Sequence, residues 1–163
     1  METDFNSEAY RAKLAADMAA HDVKLATFAE RLAEILPGNK AALFAALAAA
    51  GIHTVVVEFD GSGDSGQIES IIGFASDDTE TDIPEVRIEI RETVFDHAEF
   101  SVSPKSPREI IETMAYDFLS QTHGGWGNND GAYGEFTFTV VDQSITLDFN
   151  ERFTDSTNYQ HEF

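Results

Sequence analysis

The chain has 163 residues, no cysteine, 42% apolar residues including 13 Phe, and 30 Asp and Glu against 10 Lys and Arg, for a net charge of −20. That length and apolar content suit one globular domain over residues 1–163, and the missing cysteine excludes disulfides, thiolate nucleophiles and Cys-ligated zinc. A field of this sign repels phosphate backbones, so direct nucleic-acid binding is disfavoured and cations or basic protein surfaces are the favoured partners. The charge is uneven. Residues 58–99 hold 13 acids and 2 bases, a net −11, and residues 128–163 hold 7 and 1, a net −6.

The segment METDFNSEAY lacks the basic and apolar regions of a secretory signal. The longest nearly apolar run, residues 41–52, falls short of the ~20 residues that cross a bilayer. A cytoplasmic protein without a membrane span is expected. From Ser7 to Leu36 the large apolar residues Tyr10, Leu14, Met18, Leu25, Phe28, Leu32 and Ile35 recur at helical spacing, with His21 on the same stripe for packing or partner contact rather than catalysis. Unbroken, that helix would be about 45 Å long. Either it breaks near Asp22, a plausible cap, or one end projects and pairs with a second copy as a homodimer. PGNK at 37–40 closes it, and Asn39 caps a second helix ending at Gly51, so residues 1–50 form an N-terminal helical pair.

Residues 51–163 read as a sheet with one inserted helix. HTVVVEFDG, dense in β-branched residues, and QIESIIGFAS flank a Gly/Ser/Asp loop as a first hairpin. EVRIEIRETV alternates Val86, Ile88 and Ile90 with Arg87, Glu89 and Arg91, a half-buried strand. In SPREIIETMAYDFLSQTH, Ser106, Pro107 and Glu109 form a capping box before an apolar face of Ile110, Met114, Phe118 and Leu119. EFTFTVVDQSITLDFNERF then alternates Phe136, Phe138, Val140 and Ile145, Leu147, Phe149 around DQ, a second hairpin. The aromatic residues of TDSTNYQHEF suggest that it docks. The fold class is α+β: an antiparallel sheet of about five strands packed by helices.

Three constellations carry candidate chemistry. GDSG at 63–66 resembles the surroundings of a protease serine, but no base held by a third group accompanies Ser65. The same loop alternates oxygen donors, and Asp60, Asp64, Glu69, Asp130 and Asp148 could together hold Ca²⁺ or Mg²⁺ if they converge. A true EF-loop is excluded, because Ser65 and Ile71 stand where it needs Gly and Glu. The competing reading is turn chemistry. THGGWGNNDGAYGEF sets rigid aromatics on a pliant loop, so His123, Trp126, Asn128, Asn129, Asp130 and Tyr133 are candidate recognition residues, unless Trp126 merely staples the loop to the core. Asp77, Asp78, Glu80, Asp82, Glu85, Glu89 and Glu92 form the candidate acidic face.

FDGSGDSGQI, THGGWGNNDGAYGEF and LDFNERF, in that order over roughly residues 50–163, resemble an uncharacterised family of small acidic proteins of bacterial plasmids, prophages and integrative elements. The resemblance implies a mobile-element setting and three segments that meet in space, and it brings no catalytic residues. The leading expectation is a cofactor-free interaction module that offers its acid to a basic surface, such as that of a nucleic-acid-binding host protein, in the manner of a DNA-mimicking inhibitor of host defence. The alternative is a module or enzyme that uses a divalent cation.

Overall fold

A computed structural model describes residues 7–163. They fall into two compact units: the chain through Lys40 with Glu89–Pro104, and Ala41–Ile88 with Lys105–Phe163. In chain order the elements are α1 (Glu8–Ala49), β1 (Thr54–Phe74), β2 (Glu80–Thr81), β3 (Ile88–Glu92), β4 (Ser101–Lys105), α2 (Pro107–Thr122), β5 (Asn128–Thr139) and β6 (Ser144–Glu151). The α+β class with antiparallel pairing is as the sequence predicts.

The expected helical pair is one helix. α1 runs through Asp22 and through Pro37, which ordinarily breaks a helix by removing a backbone donor and crowding the carbonyl four residues back. Tertiary bonds override that local cost. Ile35 is buried just before Pro37, and Asn39, instead of capping, turns its amide to β3. Its Nδ2 donates to the Arg91 carbonyl at 2.7 Å and its Oδ1 accepts from the Arg91 N–H at 2.9 Å, as a strand neighbour would. α1 ends where expected, with Gly51 at φ 76° and the Ile52 N–H bonded back to the Leu47 carbonyl at 3.0 Å. By length and composition alone α1 could cross a membrane, although a mean hydropathy of 1.2 over its most apolar 18 residues makes this a weak indication that core helices also give.

In the first unit, His21 and Phe28 meet Phe95 edge-on at 5.6 and 5.9 Å, and Lys24 pairs with Asp96 at 3.0 Å. His21 therefore touches Phe95 while itself remaining exposed. β3 and β4 form a two-stranded sheet, and the strand expected from Glu85 begins only at Ile88, leaving Val86 exposed.

In the second unit the strand order is β2-β1-β5-β6. β1 doubles back on itself. The His53 N–H donates to the Phe74 carbonyl at 2.7 Å and the Ser70 hydroxyl to Glu58 at 3.0 Å, so the expected first hairpin survives as two arms of one element. Alternation sends Val55, Val57, Phe59, Phe136 and Phe138 to one face of the sheet, where Phe44 of α1 and Phe118 of α2 meet them. The opposite face stays polar. α2 starts with the expected capping box: the Glu109 N–H donates to Ser106 Oγ at 3.3 Å and the Ser106 N–H to Glu109 Oε2 at 2.7 Å. Residues 152–163 carry no helix or strand, and Phe153, Tyr159 and Phe163 are exposed rather than docked, since Phe44, Phe59, Phe136 and Phe138 already fill the core.

Asp117 lies half-buried on α2, and burial pushes its carboxyl from 3.8 up to about 6. A carboxyl whose folded pKa is raised stabilises the fold fully below its unfolded value, and that contribution is lost as pH rises through the folded value. At neutral pH the ionised group is a liability. Asp117→Asn should therefore raise Tm by a few degrees at pH 7.5 and leave it unchanged near pH 4, which thermal melts across that range would check.

Candidate functional site

Residues 109–163 contain a single Lys or Arg, and it joins the three unusual segments. Arg152, just after β6, donates from Nη1 and Nη2 to both carboxylate oxygens of Asp60 at 2.9 and 3.0 Å. Nη1 also reaches the carbonyls of Gly61 and Ala132 at 3.3 and 3.4 Å, and the guanidinium lies 4.6 Å from the Tyr133 ring. A planar fork matches a carboxylate two bonds at a time, which makes this geometry specific. Those hydrogen bonds hold the Asp60 carboxyl below its usual range.

The glycines of the first hairpin have a packing purpose. Trp126 lies against Gly61 and Gly66, and a Cβ on Gly66 would overlap its ring. Trp126 meets Phe59 edge-on at 5.4 Å, so it does staple its loop to the sheet. At the C-terminal end of α2 the His123 ring stacks on Phe149 at 3.6 Å and 3°. A recess of about 250 Å³ opens there. His123, Trp126, Asn128, Asn129 and Asp130 line it, with Phe149, Glu151 and Arg152 from the chain around the end of β6. Asp130 accepts from the Thr154 hydroxyl at 2.7 Å. Tyr133, expected in this group, lies instead on the outer face of the sheet.

That outer face carries the main electrostatic feature. Glu58 of β1 stands opposite Glu135 of β5, and Glu135 opposite Asp148 of β6, so three carboxylates form a row across adjacent strands. Strands lie about 4.8 Å apart, and like charges directly opposite destabilise a sheet. Beside the row, Asp60 is opposite Tyr133 and Tyr133 opposite Asn150. With Glu69 these residues line a second recess, about 440 Å³ in volume. Arg152 balances Asp60 and none of the other four acids.

Among the described residues, no group of three or more His, Asp or Glu could hold a metal ion. Of the cation ligands expected from sequence, Asp60, Glu69 and Asp148 share the outer recess, but Asp60 is taken by Arg152. Asp130 lines the other recess, and Asp64 lies in the part of β1 opposite Asn128. A row at strand spacing aligns carboxylates without closing them into a cage. Of the expected acidic face, Asp77, Asp78, Glu80, Asp82 and Glu85 are exposed around β2, where the Thr79 N–H donates to Asp77 at 3.2 Å. Glu89 and Glu92 belong to the other unit, where Glu92 accepts from the Ser103 hydroxyl at 2.8 Å.

A family of unknown function, DUF6878, matches residues 35–163. The chain belongs to that family. The match begins earlier than the resemblance read from sequence, taking in the end of α1 with Asn39 and the buried Leu43, Phe44 and Leu47. The DUF6878 region carries 23 acids against 6 bases, a net −17 of the chain's −20, so the acidity belongs to the part that defines the family. No curated protein and no solved structure matches the chain.

Sequence reading missed Arg152, although its isolation in an acidic stretch was the available signal. Arg152→Met should lower Tm by several degrees at neutral pH, because it strands Asp60. Asp60 has a depressed folded pKa, so its contribution is present above pH about 4 and lost in acid. The Arg152→Met deficit should accordingly shrink as pH falls below 4. Gly66→Ala should push the only tryptophan off its seat, read as a red shift in fluorescence emission and a cost of about 1–3 kcal/mol in denaturant melts.

Proposed function

We propose that this protein is a non-enzymatic interaction module that binds a basic protein surface with the outer face of its second unit's sheet. The observation that supports it is the in-register row Glu58, Glu135 and Asp148, with Glu69 in the same recess. Such a row costs folding free energy, because each carboxylate faces another across the ladder. A cationic partner relieves that repulsion on binding, so its affinity includes an electrostatic gain the free protein cannot realise. Complementary fields also speed encounter and weaken as salt rises.

A nucleic-acid-binding protein is the partner class that fits best, since its groove is already lined with Lys and Arg to take a series of anions. Inhibition of a host defence by a mobile element, through mimicry of DNA, is the finer form of this proposal. It draws on the net −11 of residues 58–99 and on the resemblance noted above.

Glu135→Gln removes the middle of the row and tests the reading in two directions at once. It should raise Tm by a few degrees while weakening binding of a short Lys-rich peptide several-fold, as measured by calorimetry. Binding of the wild type should fall steeply between low salt and about 0.3 M, because the screening length is already down to about 10 Å at 0.1 M. A peptide affinity indifferent to salt and to Glu135→Gln would overturn the proposal.

A further inference from the structure

β6 is the outermost strand on its side of the sheet and pairs with β5 residue for residue, from Ser144 to Glu151, without a register shift. The bond from the Arg152 N–H to the Gly131 carbonyl, 2.9 Å, sets the phase of that ladder. Antiparallel residues alternate between facing the partner strand and facing away. Ser144, Thr146, Asp148 and Asn150 therefore bond β5, and Ile145, Leu147, Phe149 and Glu151 aim their N–H and C=O groups outward. Among the described residues, no strand pairs with that side.

Proteins usually blunt such an edge with Lys, Pro, a bulge or very short length. β6 has no Lys, Pro or bulge over its eight residues, and its two charges, Asp148 and Glu151, are acids that a basic segment would neutralise. Its margin is also apolar. Ile145, Leu147 and Phe149 stay half-buried, while Phe136 and Phe138 on β5 are 1% and 0% exposed. Val141 and Phe153, flanking β6, are 73% and 83% exposed. The carboxylate row ends on this strand, at Asp148, so one more strand would place its side chain beside Asp148 at the same spacing.

We propose that β6 is a strand-addition site for an extended basic segment of a protein partner. The segment pairs its main chain with the outward groups of residues 145–151 and sets a Lys or Arg beside Asp148 as the next member of the row. Its alternate side chains cover the open apolar margin, the division of labour usual when a peptide joins a sheet edge. This rests on the reading of the acidic sheet as a protein-binding surface.

The test uses the full chain and a short peptide alternating Lys and Thr, followed by residue-resolved amide hydrogen exchange. Binding should slow exchange at Ile145, Leu147, Phe149 and Glu151. Thr146→Lys, which adds a cation to the exposed face of β6, should keep the fold by thermal melt, weaken binding about tenfold and remove that protection. If the peptide binds and Glu135→Gln weakens it while the four amides exchange unchanged, strand addition is overturned and the acidic-face reading stands. If the peptide does not bind at low salt, both fall. Equal protection by a peptide alternating Glu and Thr would overturn the requirement for a basic segment.

Discussion

The second unit depends on one guanidinium. Arg152 is the only Lys or Arg among residues 109–163, and it reaches across the sheet to Asp60 while bonding a carbonyl of β1 and one of β5. At 37% and 48% side-chain exposure, this pair is neither a dry ion pair nor an ordinary surface one. Its strength comes from geometry. Two parallel bonds fix the carboxylate, and Nη1 also reaches two backbone oxygens, so little orientational freedom is left to oppose the contact. Through this contact the glycine hairpin, the tryptophan loop and the chain after β6 become one structure rather than three loops.

Around that point the sheet divides its two faces sharply. On one, aromatic rings pack from Phe59 through Phe136 and Phe149 to the His123 ring, and glycines are required where Trp126 approaches the hairpin closely. On the other, acids stand opposite acids with no basic side chain in the row. A protein selected only for stability would alternate the signs across those strands, because each reversed pair contributes favourably. The persistence of the row is a local conflict between folding and its surroundings. Such conflicts concentrate where a molecule meets its partner.

The fold class was legible because its cues are local. The capping box of α2 and the alternation around DQ each lie within a few residues, and both elements form there, although β5 already begins at Asn128, inside the stretch read as a glycine-rich loop. Pro37 shows the limit of local cues: the helix continues past it because Asn39 finds the backbone of Arg91, 52 residues away in sequence. The candidate site was harder still. Asp60 looked like a cation ligand because its neighbours alternate oxygen donors, and its true partner is 92 residues distant. The row of Glu58, Glu135 and Asp148 has no sequence signature, since it exists only once register is set, and a slip of one residue would send each carboxylate to the core.

Charge and ancestry divide the chain in the same place. α1 holds five acids and five bases, and its first part lies outside the DUF6878 match; residues 1–34, which precede the family region, hold seven acids and four bases and so carry only −3 of the chain's −20. The acidic surface is thus a property of the shared region, whereas Leu14, Met18 and Leu25 expose an apolar stripe on a part of the helix this family does not define. Two surfaces with different physics follow. One acts at a distance and fades with salt, as a charged sheet must. The other acts only on contact, through apolar area that salt does not screen.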